Sequence, residues 1–439
     1  MIDIKKFYSL MMKNRGKVDR GSLIGITSFG LLLKKVELDS PVCYNEKFSL
    51  PFLKLLYGEA VTADDLVDYA SGIEKEYNLP PTSLSEVLRQ MLARVVDDSC
   101  IRDIIEALSS IAINSISDLT ETFRSVLFAL VKDDRSIGQY YCGNAYVSKL
   151  ENEIMNINPG ESVFDGYCGY GETLSRIAKK DVSFYLQDID RYAVLVATIN
   201  MIINGANRIH VSCGDTNAGV NDKFDCIISE PPLASHYEAD YVKEMTGDLE
   251  FSSSRTLFVE RTVSLLNDNG RAVILVPAST LFETGMTQKL RRKLYELGWI
   301  EAVVGLPQGV LAPYAPGVIT ALLVVNKTKK EKPFVMIDST DLWKKIPGVP
   351  NKVIEDASIK KMHQLICGKI EEDGLSKIVS FSDDSDFNFT PSYYVNPYEV
   401  NSVSVLDVNE LLKKDEQLFG ELEKVCSQLD EIRNHRMLK

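Results

Sequence analysis

The sequence contains no long apolar run of the kind that crosses a membrane. Its longest apolar stretches, such as Ala272 to Val276 and Ala321 to Val325, fall far short of the ~20 residues that a spanning helix needs. The N-terminus also lacks the apolar core of a secretory signal peptide. We therefore expect a cytoplasmic protein without membrane contact.

Metal-binding and disulfide patterns are missing as well. The eight cysteines are scattered without a C-x-x-C pair, and the whole chain holds four histidines. Zinc sites and disulfide frameworks need closely spaced or regularly paired ligands. The sequence therefore predicts neither a metal site nor a disulfide scaffold.

Positive charge is scarce, since 49 Lys and Arg face 62 Asp and Glu, for a net charge of −13 at pH 7. Phosphate neutralisation by Lys and Arg supplies most non-specific affinity for nucleic acids. A free-standing nucleic-acid-binding protein is therefore not expected, and a DNA substrate would need a local basic face or a more basic partner. Arg291 to Lys293 and Lys327 to Lys332 are candidates for that face, although such runs are more often solvated surface.

The composition is that of an ordinary globular protein, with 45% apolar and 25% charged residues over 439 positions. Apolar residues follow the helical period of 3.6 after Ser83 and again after Ser117. We predict an N-terminal helical domain over 1–134, a central α/β domain over 135–348 and a C-terminal tail of loops and helix over 349–439.

Short β-rich runs alternate with helical patterns in the central part. This alternation is typical of a doubly wound, mostly parallel sheet with helices on both faces, which binds ligands at the carboxyl ends of its strands. Strands are predicted at Ser162 to Phe164, Ser183 to Leu186, Ile209 to Ser212, Phe224 to Ser229, Arg271 to Val276, Ile300 to Gly305 and Ile319 to Val325. Helices are predicted at Thr173 to Lys179, Arg191 to Ile203, Arg255 to Leu266 and Gln288 to Leu297.

The chain ends in a periodic segment. Between Leu411 and Ile432 apolar residues follow a 3,4 spacing that only Asp415 interrupts. Such a helix either docks on its own domain or forms a seam for a partner subunit, and both interpretations stay open.

Glycines and acidic residues follow the first three predicted strands. Gly169 and Gly171 allow a sharp turn and a close approach to a ligand, with Asp165 at the preceding strand tip. Asp188 ends the next strand, where a carboxylate can bind both ribose hydroxyls, and Asp215 stands where an acid can bind an adenine amino group. A single acidic residue at a strand end more often belongs to a turn or caps a helix. Three such residues after successive strands favour a nucleoside-binding site.

A nicotinamide dinucleotide is the competing ligand for this pattern. Its fingerprint requires a third glycine three residues after the second, and that position holds Leu174. The carboxylate of Asp165 would also have no role beside a pyrophosphate. A methyl-donor nucleoside without phosphates fits the acidic turn better.

These motifs, taken in order, resemble the modification (methylase) subunits of type I restriction-modification systems, a family of γ-class adenine-N6 DNA methyltransferases. Gly138 to Gly143 is similar to the family's G-x-[FY]-[FY]-T-P motif, with Cys142 and Gly143 in place of Thr and Pro. Asp165 to Gly171 is similar to D-P-x-C-G-[ST]-G. Further similar segments are Gln187 to Asp190, Asn200 to Gly205, Gly214 to Thr216, Leu275 to Pro277, Leu306 to Gly309 and Phe387 to Tyr394.

The resemblance covers 136–345 well and implies a Rossmann-like methyltransferase fold that binds S-adenosyl-L-methionine. It implies DNA as substrate within a complex that includes a specificity subunit, and it leaves open a restriction subunit and a homodimer. The cofactor-binding residues that it implies are Tyr141, Asp165, Gly169, Gly171, Asp188 and Asp215.

The family's catalytic motif is N-P-P-[FYW] at the tip of the fourth strand, and here the corresponding residues are Glu230, Pro231, Pro232 and Leu233. In the family, the Asn oxygen and the first Pro carbonyl bind the adenine N6 amine, and the aromatic ring stacks on the flipped base. The additional methylene of Glu230 would displace the acceptor by ~1 Å, which can cost ~100-fold in rate. Leu233 has no aromatic ring, so the stacking contact with the flipped base, worth roughly 1–3 kcal/mol, is lost.

Three functions therefore stay open at this point. The first is a working or weakened adenine-N6 DNA methyltransferase. The second is a non-catalytic paralogue that keeps the cofactor pocket and serves as a binding or regulatory subunit. The third is a methyltransferase that acts on RNA, protein or a small molecule.

Overall fold

Strands and helices alternate through the middle of the chain and build one large sheet. The fold is taken from a computed structural model that describes residues 16–39, 61–97, 99–109, 111, 113–131, 144–178, 181–233, 254–312, 315–349, 351–396 and 424–425. The chain divides into a unit Met1–Val395 and a unit Asn396–Lys439. All elements named below belong to the first unit.

The sheet has nine strands within the described residues, in the order β11-β8-β6-β7-β5-β4-β1-β2-β3, and β9 and β10 form a separate pair. The strands are β1 Ser162–Asp165, β2 Ser183–Asp188, β3 Ile209–Cys213, β4 Phe224–Ser229, β5 Leu266–Pro277, β6 Ile300–Gly305, β7 Thr320–Asn326, β8 Phe334–Asp338, β9 Lys344–Lys345, β10 Lys352–Val353 and β11 Ser376–Val379.

Strands β1 to β5 pair in parallel, as do β6 and β8, whereas β7 runs antiparallel between β5 and β6. After β3, at the edge, the chain returns to place β4 on the other side of β1, so the strand order reverses there. Ligands of doubly wound sheets bind at the carboxyl ends of the strands beside such a reversal. The doubly wound, mostly parallel sheet expected from the sequence is thus confirmed.

Helices cover the sheet and form most of the N-terminal part. They are α1 Arg20–Asp39, α2 Ala63–Glu76, α3 Ser85–Leu92, α4 Ser99–Ser109, α5 Ile116–Val131, α6 Ala145–Met155, α7 Glu172–Ser175, α8 Arg191–Ile203, α9 Thr216–Gly219, α10 Ser254–Ser264, α11 Ser279–Phe282, α12 Met286–Glu296, α13 Asp356–Gly368 and α14 Pro391–Val395. In the described part of the chain, no helix combines the length and apolarity needed to cross a membrane.

The N-terminal helices share a core with the sheet. Helix α1 contacts α3, α4, α5 and α8, and its Phe29 belongs to the same apolar cluster as Phe184 of β2. Both rings are fully buried. Because α8 also packs on β2 and β3, α1 covers the half of the sheet that carries the glycine-containing turn. The domain limits near 134 and 348 stay a prediction.

Several sequence-based boundaries need correction. The helix expected over Thr173 to Lys179 ends at Ser175, and the one expected to reach Leu266 ends at Ser264, because Leu266 already begins β5. The region after Pro350 was expected to be helix and loop, yet β11 pairs antiparallel with β8. A strand of four residues is too short to give a clear alternation. The periodic segment between 411 and 432 lies outside the described residues, apart from Lys424 and Val425.

One residue in each of the two candidate basic runs is buried, Arg291 in the first and Lys329 in the second, whereas Arg292, Lys330 and Lys332 are exposed. Arg291 is 3% exposed, and burial lowers the pKa of its guanidinium to about 10. Its nitrogens donate to the carbonyls of Phe387 at 2.7 Å, Thr280 at 2.8 Å and Glu283 at 2.9 Å. Lys329 is also buried and donates to the carbonyls of Gly298 and Glu331. Arg291 therefore fastens the segment after β11 to α11 and α12.

We predict that Arg291→Met lowers the free energy of unfolding by roughly 2–5 kcal/mol, because it leaves three carbonyls without their donor. Urea denaturation measures the loss. The matched control is Arg292→Met, since Arg292 is an exposed neighbour that pairs with Glu296 at 2.8 Å and has one longer carbonyl contact after β11, with Asp383 at 3.2 Å. A similar loss in both variants would contradict this role of Arg291.

Candidate active site

The turn after β1 is held in a single arrangement by backbone hydrogen bonds. The amide of Cys168 donates to the carbonyl of Gln187 at 3.0 Å, and the amide of Gly171 donates to the carbonyl of Cys168 at 2.7 Å. Gly169 and Gly171 have φ values of 50° and 73°, in the left-handed region that favours glycine. The sequence pattern thus forms the tight turn that it predicts.

Close packing against α8 also requires Gly171. A Cβ atom at this position would lie 3.0 Å from the Cα atom of Ala197 and 3.2 Å from its carbonyl oxygen. One residue earlier, the carbonyl of Tyr170 accepts a hydrogen bond of 3.0 Å from the side chain of Asn200, also on α8. The turn that follows β1 therefore packs directly against α8 and is hydrogen-bonded to it.

Asp188 joins the tip of β2 to this turn. One carboxylate oxygen accepts the amide N–H of Gly169 at 3.0 Å, and the other accepts the amide N–H of Asp190 at 3.0 Å. Burial raises the pKa of Asp188 above its ordinary value. Since a carboxylate can accept about four hydrogen bonds, acceptor positions remain for a pair of hydroxyls.

Asp165 lies at the tip of β1 and is 4% exposed. Its carboxylate accepts the amide N–H of Tyr167 at 3.0 Å. Burial, followed by the charges of Glu230 and Asp188, raises the pKa of Asp165 well above its ordinary range. The strand ends therefore bring together carboxyl groups that disfavour one another's ionisation, and a positively charged ligand would relieve this repulsion.

Asp215 caps the short helix α9. Its carboxylate accepts the amide N–H of Asn217 at 2.8 Å and the side-chain amide of the same residue at 3.0 Å. The hydroxyl of Tyr167 donates to the side-chain oxygen of Asn217 at 3.2 Å, which links α9 to the turn after β1. Asp165, Asp188 and Asp215 thus each accept a hydrogen bond from a turn or helix amide, as expected if they are turn or cap residues. All three also lie at the carboxyl ends of the parallel strands.

The segment after β4 places Glu230 against the same turn. Its Oε1 accepts a hydrogen bond of 2.6 Å from the hydroxyl of Thr173, on the first turn of α7. Burial raises the pKa of Glu230. Pro231 is buried and Pro232 exposed, while Leu233 is half-buried against the main core. Glu230, the first of the four residues at the position of the catalytic motif, thus contacts the helix that follows the glycine turn.

Tyr141, Cys142 and Gly143 lie outside the described residues, so the cofactor role of Tyr141 stays a prediction. The next residue, Asn144, caps α6 and donates to the carbonyls of Val310 at 2.9 Å and Lys352 at 3.0 Å. The start of α6 is therefore fixed to the segment that follows β6.

Sequence reasoning missed three residues of the site, namely Ser148, Glu151 and Thr173. A signal for Glu151 was available, because it shares the apolar face of α6 with Val147, Leu150 and Ile154. An acidic residue within an apolar stripe is rarely buried without a partner. Thr173 carried no comparable signal, because only the tertiary fold places it against Glu230.

The family model for N-6 DNA Methylase matches residues 114–402. The methylase subunit of the type I restriction enzyme MpnII from Mycoplasma pneumoniae is 21% identical over 397 residues, which cover 82% of this chain and 72% of that protein. The EcoEI methylase subunit from Escherichia coli is 25% identical over 257 residues, 53% of this chain and 51% of that protein. The chain thus spans about half the length of the second relative.

A solved structure has a similar fold. The methyltransferase subunit of a type I restriction-modification system from Streptococcus thermophilus superposes with a TM-score of 0.66 at 18% identity, covering 89% of this chain and 99% of that one. The family resemblance predicted from the motifs is confirmed by a model match over well more than half of the chain. This protein belongs to the N-6 DNA methylase family.

Proposed function

We propose that this chain is an S-adenosylmethionine-dependent adenine-N6 DNA methyltransferase that serves as a modification subunit. The observation that carries the proposal is the contact between Thr173, which follows the glycine turn, and Glu230, at the position of the family's catalytic Asn. This contact joins the two halves that a methyl transfer needs, namely a site for the methyl donor and a site for the amine. Family membership supplies the class of reaction.

The pocket suits the proposed cofactor. S-adenosylmethionine supplies a methyl group on a positively charged sulfonium and also carries an ammonium group. The buried carboxyl groups of Asp165 and Asp188 and that of the half-buried Glu230, whose pKa values are all raised, favour a cationic ligand over a phosphate. Asp188 would bind the ribose hydroxyls, Asp215 the adenine amine, and Gly169 and Gly171 would let the backbone approach.

The amine-binding side would consist of Glu230 and the carbonyl of Pro231 as acceptors, with Leu233 as an apolar contact in place of an aromatic ring. Because both side chains differ from the family motif, we expect methyl transfer to be slower than in an N-P-P-F enzyme. A non-catalytic subunit that binds the cofactor is the second candidate. It is favoured by the replacement of the family's Asn and aromatic residue by Glu230 and Leu233.

We further propose that DNA binding requires a complex. Both relatives named above are methylase subunits of type I restriction enzymes. A net charge of −13 disfavours tight binding of a duplex by this chain alone. A specificity subunit would supply DNA contacts, and a restriction subunit or a second copy of this chain would be further partners.

The first prediction concerns the cofactor. Asp188→Ala removes the acceptor for two hydroxyls and the anchor of the Gly169 amide, so calorimetry should show S-adenosylmethionine affinity falling by roughly 10–100-fold. Asp222→Ala is the control, because Asp222 is exposed at the opposite edge of the sheet, before β4. Equal affinity in the parent and the Asp188 variant would refute the cofactor site.

The second prediction concerns the chemistry. Glu230→Asn with Leu233→Phe restores the shorter acceptor and the stacking platform, and methyl transfer should rise by up to ~100-fold. Tritium transfer from labelled cofactor to adenine-containing DNA, with a specificity subunit present, measures the rate. An active parent damaged by the double change would mean that Glu230 is already a competent acceptor. Two inactive proteins that bind cofactor equally would favour the non-catalytic subunit.

The third prediction concerns DNA. In gel shifts at physiological salt, the chain alone should bind a duplex weakly, and addition of a specificity subunit should produce a stable complex. The control is the specificity subunit without this chain. Strong binding by the isolated chain would contradict the proposed need for a partner.

A further inference from the structure

Glu151 is a buried acid that the cofactor site does not explain. Glu151 is fully buried, and neither of its carboxyl oxygens has a hydrogen-bond donor among the described residues. The same helix face carries the buried residues Val147, Leu150 and Ile154. An ionised carboxylate is very costly in such surroundings, and a buried polar group of this kind requires a specific reason.

The carboxyl groups of Glu151 and Glu230 lie close enough for each to alter the pKa of the other. Ser148, one turn before Glu151 on α6, contacts Thr173 at 3.1 Å, and Thr173 contacts Glu230 at 2.6 Å. Two ionised carboxylates cannot bond to each other, because both only accept hydrogen bonds. One proton between them turns the repulsion into a hydrogen bond. The closeness of the two carboxyl groups and the missing donor therefore have the same explanation, which is that Glu151 is protonated and donates to Glu230.

A second chain of hydrogen bonds favours the charge on Glu230, because Glu230 has a hydroxyl donor and Glu151 has none among the described residues. Thr173 has a single hydroxyl proton, which it gives to Glu230 at 2.6 Å. Its contact of 3.1 Å with Ser148 must therefore be a bond in which Ser148 donates. Ser148 and Glu151 are three residues apart on α6, so this helix supports the Glu230 carboxylate directly and through Thr173.

The surrounding charges favour the same assignment. Burial, followed by the charge and hydrogen bond of Glu230 and the charge of Asp165, raises the pKa of Glu151 well above its ordinary range. At Glu230 burial raises the pKa most, the hydrogen bonds from Thr173 and Glu151 lower it, and the charge of Glu172 raises it by a smaller amount. The other charged groups around these elements are largely paired with one another: Glu172 with Arg176 and Arg124, Lys149 with Asp356, and Glu153 with His363.

We propose that Glu151 and Glu230 hold one shared proton at neutral pH, with the proton on Glu151 and the negative charge on Glu230. Glu151 is then a positioning residue that keeps Glu230 ionised, oriented and able to accept. The consequence for catalysis rests on the proposed methyl transfer. Glu151 and Thr173 occupy two of the acceptor positions of the Glu230 carboxylate, and the others remain for the adenine N6 amine.

The test compares the parent with Glu151→Gln, which keeps a donor to Glu230 but cannot ionise. Above about pH 4.3 the unfolded chain releases the Glu151 proton while the folded protein retains it, so folding of the parent weakens as pH rises. The folding equilibrium constant of the parent should therefore fall relative to that of the variant, by up to about tenfold per pH unit above about pH 4.3, for as long as the folded protein retains the proton. Urea titrations without cofactor or DNA measure both.

Glu74→Gln is the matched control. Glu74 is also buried, but it accepts the amide N–H groups of Leu84 and Ser85 at 2.7 Å each, and so its carboxylate has donors. This variant should lose stability to the same extent throughout that pH range. The proposal of a shared proton would be overturned if the stability of Glu151→Gln followed that of the parent in parallel across the pH range. A uniform loss of stability like that of the control is one form of this outcome.

A second variant covers the case in which Glu151→Gln does not fold. Glu230→Gln offers an amide donor to Glu151, which can then ionise, and so the pH dependence should again become flatter than in the parent. An unchanged slope would overturn the proposal. Because these measurements need neither cofactor nor DNA, failure of the methyltransferase proposal would leave their result intact, and the reverse also holds.

Discussion

The hydrogen bond from the Gly169 amide to the Asp188 carboxylate determines the arrangement of the candidate site. It fixes the turn after β1 to the tip of β2, and the turn then continues directly into α7. Thr173 lies on that helix and donates to Glu230, at the tip of β4. The proposed cofactor side and the proposed amine side are therefore not independent, because a displacement of the glycine turn would move Thr173 away from the Glu230 carboxylate.

The central strands and the edge strand β3 could be predicted from the sequence, whereas the opposite edge of the sheet, formed by β8 and β11, could not. Strands such as β4 and β5 are covered on both faces, so they appear as nearly continuous apolar runs that the sequence displays plainly. β8 and β11 were not predicted. β11 is a four-residue strand whose two central residues are exposed, and its partner lies far away in the sequence. Its pairing depends on tertiary contacts that local patterns do not report.

The acidic strand ends were predicted because each follows a strand, a position that a sequence reveals. Glu151 lies in the middle of a helix, and its role depends on Glu230, 79 residues later in the chain. The departure from the family motif at Glu230 was visible in the sequence, but its setting was not. A carboxylate at this position needs donors from within the protein, and Thr173 and Glu151 provide them, so these three residues are best understood as one set.

The antiparallel strand β7 makes the β6–β7 connection a hairpin, unlike the connections between consecutive strands from β1 to β6, each of which contains a helix. Its loop leaves β6 at the same edge as the glycine turn, and Asn144 binds it through the carbonyl of Val310. Such a loop can gain or lose residues without disturbing the register of the strands that it joins. During the divergence of this family, the rim of the site could therefore change its target while the sheet that positions the methyl donor stayed the same.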